Sequence, residues 1–128
     1  MSPDHSFHRG PIRVLVVGDS SKEADELRDS LGEGFDVAWE SSYARAREAM
    51  VGDTHDVYLL HRTFGEDGAE GGVALLRDAL AGGCTRPTLL ATEEADGFFE
   101  AVAMQAGAAD VVTLDDTPAA ILKRIVGF

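Results

Sequence analysis

The sequence predicts an α/β domain: a doubly wound, five-stranded parallel sheet with five helices. Three observations carry this. Short apolar runs rich in β-branched residues, such as Ile12-Arg13-Val14-Leu15-Val16-Val17 and Val57-Tyr58-Leu59-Leu60, read as strands buried on both faces. Between the runs, apolar residues recur three and four apart, the period of a helix laid on a sheet. Strand and helix alternate through the chain, and parallel strands need right-handed crossovers, which puts helices on both faces.

The elements follow in order. Ile12 to Val17 is a strand closed by Gly18-Asp19-Ser20, and Ser20 with Glu23 three positions on fits a capping box. Ala24, Leu27 and Leu31 give the helix behind it an apolar stripe. Phe35 to Glu40 reads as the second strand, Ser42 to Val51 as a helix, and Asp56 to His61 as the third strand. A Gly-rich loop, Gly65 to Gly72, precedes a helix marked by Val73, Leu75, Leu76 and Leu80 and ended by Gly82-Gly83. Pro87 to Ala91 is the fourth strand, Ala95 to Gln105 the fourth helix and Asp110 to Leu114 the fifth strand. Thr117-Pro118 opens a last helix with a cap and a first-turn proline, and Ile121, Leu122, Ile125 and Val126 line one face of it.

With 128 residues and 45% hydrophobic content the chain is the size of one domain able to bury a real core. The expected division is a flexible tail over residues 1–11 and a domain over 12–128. No apolar stretch approaches the roughly 20 residues that cross a bilayer, and residues 1–11 lack a signal-peptide core. A cytoplasmic protein without membrane contact is expected, and the single Cys84 fits a reducing compartment. A net charge of −12 repels a phosphate backbone, which argues against nucleic acid as a partner. The 23 acidic residues face only two lysines, Lys22 and Lys123, a halophile-like balance that suits high-salt cytoplasm, where screening removes most self-repulsion.

In doubly wound sheets chemistry sits at the carboxyl ends of the strands, and the loops after the first and third strands meet there. Asp19 and His61 are therefore expected to be neighbours. A lone imidazole is not a metal site, so His61 reads as a structural or pH-sensitive filler, with Asp19 and Thr92 satisfying backbone amides or each other. Gly18-Asp19-Ser20 also resembles the nucleophile block of short-chain esterases, with Ser20 as nucleophile, but no histidine follows His61 to act as its base. Flavin phosphate is opposed by Asp19 and by the lack of a Gly-x-Gly-x-x-Gly motif. His5 with His8, and Gly65-Glu66-Asp67-Gly68, lack the further ligands of a metal or calcium loop. Phe98 and Phe99 are adjacent on a helix and point about 100° apart, so one of them is expected at the surface.

From Ile12 to Val126 the chain resembles the receiver domain of two-component response regulators. The resemblance implies the flavodoxin-like strand order 2-1-3-4-5 and a site of an acidic pair, a phosphoacceptor aspartate, a hydroxyl and a lysine. Those positions fall on Gly18 with Asp19, on His61, on Thr92 within Pro87-Thr88-Leu89-Leu90-Ala91-Thr92, and on Leu114 before Asp115. Val111 stands where the family has an aromatic that reports activation. Aspartyl phosphorylation needs a carboxylate nucleophile and Mg²⁺ to neutralise the phosphoryl oxygens, and Asp19 is the one carboxylate left to hold such an ion.

The resemblance thus implies an atypical receiver, or pseudo-receiver: a non-enzymatic protein-interaction and signal-relay module of two-component phosphorelay signalling, without a cofactor or metal, whose signal is transmitted by docking. Its expected partners are a histidine kinase or an adjoining sensor or output domain, within a larger signalling protein whose N-terminal part this chain forms. The face bearing Phe98, Phe99 and Val111 is its expected partner or homodimer surface. The alternative is a receiver phosphorylated at His61 or Asp67 by a histidine kinase.

Overall fold

The computed structural model describes residues 10–65, 70–94, 96–114, 117–120 and 122. The expectations placed on His5, His8, Glu66 to Gly68, Asp115, Ile121, Lys123, Ile125 and Val126 lie outside the described residues. The elements are β1 (Ile12–Val17), α1 (Lys22–Leu31), β2 (Phe35–Glu40), α2 (Tyr43–Val51), β3 (Val57–His61), α3 (Gly71–Ala81), β4 (Thr88–Thr92), α4 (Gly97–Ala106) and β5 (Asp110–Thr113). Helical residues 118–120 and 122 belong to a fifth helix, α5. All strands are parallel in the order β2-β1-β3-β4-β5.

Alternation along the strands builds two core layers. Leu15, Val17, Tyr58, Leu60 and Leu90 face α2, α3 and α4, packing with Met50, Leu76 and Phe99. Val14, Val16, Val57, Leu59 and Leu89 face the other way, onto Leu27 and Leu31 of α1 and Leu122 of α5. Burying one such side chain is worth about 1.5–3 kcal/mol. A helix cap contributes about 1 kcal/mol, so the alternation and not the capping decides the fold.

That ordering of energies shows at the helix starts. Ser42 caps α2 by accepting the Arg45 N–H, and Asp96 caps α4 by accepting those of Phe98 and Phe99. The capping box expected at α1 is absent: the helix starts at Lys22, Ser21 takes the cap position but its hydroxyl donates to Asp25 and caps no backbone N–H, and Ser20 accepts the Lys22 N–H instead. Glu23 thereby stands one position too early to complete the box. The helix after the long loop begins at Gly71, where a Cβ would overlap the Phe64 carbonyl oxygen, so the chain can only turn there without a side chain. Among the described residues no helix is long and apolar enough to cross a membrane.

Phe98 is 79% exposed and Phe99 is buried. Phe99 therefore drops out of the expected partner surface, because the first turn of α4 points it inward against α3, and Val111 is half-buried against the same core layer. Phe98→Ser is expected to change stability by less than about 0.5 kcal/mol, whereas Phe99→Ala costs about 3–5 kcal/mol; urea unfolding of the two variants measures the contrast. A second expectation concerns His55. Burial, aided by the Arg13 cation, holds the pKa of its half-buried ring below the ordinary value. The folded chain then binds this proton less readily than the unfolded chain, so the stability it preserves above about pH 6.5 is lost as pH falls. The thermal midpoint of the parent should fall relative to His55→Gln between pH 7 and pH 5; a gap independent of pH would contradict this.

Candidate functional site

Parallel pairing of β1 with β3, from Val14↔Val57 to Val17↔Leu60, brings the two strand ends level at the carboxyl edge of the sheet. A Cβ on Gly18 would lie 3.6 Å from His61 Cβ, so the loops meet as the topology requires. The Gly18 loop is held from β2, whose Trp39 donates its indole N–H to the Gly18 carbonyl at 2.9 Å.

The side chains then part. His61 turns toward β4 into a cleft of about 510 Å³ shared with Thr63, Thr92, Glu93 and Glu94. Asp19 turns the other way, into a cleft lined by Ser41, Tyr43, Phe64 and Gly65, where it accepts the Gly65 N–H at 3.4 Å. Thr92 is buried, and its hydroxyl donates to the Glu94 carbonyl at 3.4 Å. Asp19 and Thr92 thus bond separate loops rather than each other, because β1 and β4 stand on opposite sides of β3. Leu114 keeps its backbone bond to Thr92 but packs its side chain with the α1-facing core layer and lines the cleft against Leu27.

His61 Nδ1 lies 3.3 Å from the Thr63 N–H and 3.1 Å from the Thr63 hydroxyl. A backbone N–H can only donate, so Nδ1 accepts and the ring proton of the neutral imidazole sits on Nε2. The ring is therefore engaged by its own loop. Beneath it a void of about 10 Å³, the size of one water, is bounded by Gly18, Glu23 and Leu59.

The resemblance implies a Mg²⁺ ion at this edge, and the residues present do not fit one. Mg²⁺ takes hard oxygen ligands in a strict octahedron. Here Gly18 has no side chain, His61 offers nitrogen, and Asp19 faces a different cleft. Among the described residues no group of three or more His, Cys, Asp or Glu side chains could hold a metal ion.

Two residues that sequence reading passed over belong to this edge. Glu23 was assigned to a cap and instead borders the void under His61. Arg62 directly follows β3, and its guanidinium bonds both Glu70 and Asp96 and lies 4.0 Å over the centre of the Phe99 ring. The available signal was a single cation directly after a buried strand, in an acidic stretch of chain.

No family model and no curated protein matches the chain in sequence. Solved structures do match it in shape. The BeF3-activated N-terminal receiver domain of RstA from Klebsiella pneumoniae is similar at 25% identity with a TM-score of 0.74, over 89% of this chain and 95% of that one. A CheY-like receiver domain protein from Methanospirillum hungatei is similar at 19% identity with a TM-score of 0.74, over 92% and 93% of the two chains. The non-phosphorylated HemR receiver domain of Leptospira biflexa is similar at 19% identity and a TM-score of 0.72, over 91% and 92%. Likeness of this extent gives the chain the fold of response-regulator receiver domains.

Proposed function

We propose that the chain is a pseudo-receiver: a signal-relay module of two-component signalling that works by docking to a protein partner and not by aspartyl phosphoryl transfer. The observation that supports this most is the end of β3, where an imidazole engaged by Thr63 stands in place of a carboxylate, with the remaining acid, Asp19, turned into another cleft. Phosphoryl transfer to aspartate needs a carboxylate nucleophile and a cation for the phosphoryl oxygens. Neither requirement is met by Gly18, Asp19, His61 and Leu114.

Docking is supported by α4, which exposes Phe98 and Met104 and carries one acid, Glu100, and no base. A histidine kinase or an adjoining sensor or output domain is the partner class that the fold suggests, and a homodimer through α4 is the related arrangement. The acid-rich, lysine-poor composition suits a cytoplasmic setting of high salt.

Incubating the protein with acetyl phosphate and Mg²⁺ and measuring the intact mass should give no phosphoryl adduct. An acid-labile, base-stable adduct would instead indicate a histidine such as His61, and a base-labile one an acidic residue such as Asp67; either sinks the proposal. The converse variant is also informative. Space at Gly18 admits a side chain with ordinary contacts, so Gly18→Asp combined with His61→Asp and Leu114→Lys should acquire Mg²⁺-dependent labelling that the parent lacks.

A further inference from the structure

Arg62 adds a polar tie at the rim of elements that the core packs together through Leu76, Leu90 and Phe99. Its backbone N–H donates to the Ala91 carbonyl at 2.7 Å, and its own carbonyl accepts the Gly72 N–H at 3.1 Å, which fixes it between β4 and the start of α3. Its guanidinium reaches Glu70 at 3.1 Å and Asp96 at 3.3 Å, and the Arg62 side chain is only 23% exposed. The planar fork serves two carboxylates while its face rests on Phe99, a combination that lysine cannot reproduce.

Asp96 has a double duty in this arrangement. Its Oδ1 accepts the N–H groups of Phe98 and Phe99, and its Oδ2 accepts from Arg62. The hydrogen bond from Phe99 N–H, together with Arg62, holds its carboxyl below the ordinary carboxylate range. One carboxylate thus starts the helix and receives the cation. The next exposed side chain along that helix is Phe98.

We propose that Arg62 is a permanent latch that fixes the first turn of α4, and with it the display of Phe98, to the carboxyl edge of the sheet. The pose of the docking helix is then set by an internal cation and not by charge arriving at His61. The functional meaning rests on the reading of α4 as a docking face, but the latch is tested without a partner and without a phosphodonor, so either idea can fail alone.

The test is amide hydrogen exchange on the intact chain, comparing the parent with Arg62→Met, which keeps an apolar stem on Phe99 and removes the cation. Exchange at the start of α4 should accelerate about tenfold, the scale of one lost charge-assisted hydrogen bond, with β1 and β3 unchanged. Raising salt from 0.1 to 1 M shortens screening from about 10 to about 3 Å, so it should speed exchange there in the parent but not in the variant. Asp96→Asn keeps the capping oxygen, removes the charge and should reproduce the loss of salt sensitivity. Arg28→Met, which breaks a pair on α1, should leave α4 unaffected. Unchanged exchange in α4, or an equal acceleration through all strands, would overturn the latch.

Discussion

The register of β1 against β3 is the constraint on which the rest of this molecule depends. Pairing Val17 with Leu60 sets Gly18 beside His61, and a slip of one residue would turn Leu15 and Val17 out of one core layer and into the other. The position of the site is thus dictated by packing on both faces of the sheet. The chemistry is left to the side chains that follow the last paired residues. Fold and reactivity are separable here: replacing the group at position 61 alters what the edge can do while leaving both apolar layers in place.

Much of the fold was legible because strands buried on both faces write unbroken apolar runs. The strand ends were less so. Asp56 falls outside β3 because its carboxylate accepts the Arg13 N–H. Pro87 has no N–H to pair, but its carbonyl accepts from Tyr58 just before β4 begins. Two adjacent serines left the start of α1 ambiguous, and Asp96, one residue past the expected start of α4, was the cap that went unread. In the candidate site, topology foretold that the Asp19 and His61 loops would meet. It carried no information on side-chain direction, which turns on Gly65 and Thr63. Arg62 was less legible still, since its acidic partners lie 8 and 34 residues away in sequence.

Three arginines, Arg28, Arg47 and Arg62, have an architectural role. Arg28 bonds Asp25 within α1 and also the Val37 carbonyl on β2. Arg47 joins α2 to Asp78 on α3, where Tyr43 adds a second donor to the same carboxylate. Arg62 spans β3, α3 and α4. The guanidinium groups of Arg28 and Arg62 each serve two partners at once, which a compact ammonium does less well. An acidic chain with few bases thereby places these three positive charges at seams between elements.

The indole of Trp39 is half in solvent and hydrogen-bonded to the loop that follows β1. As the sole tryptophan of the chain, it makes that loop self-reporting: its fluorescence emission follows the Gly18 carbonyl, so movement at the switch point is visible optically without any attached dye.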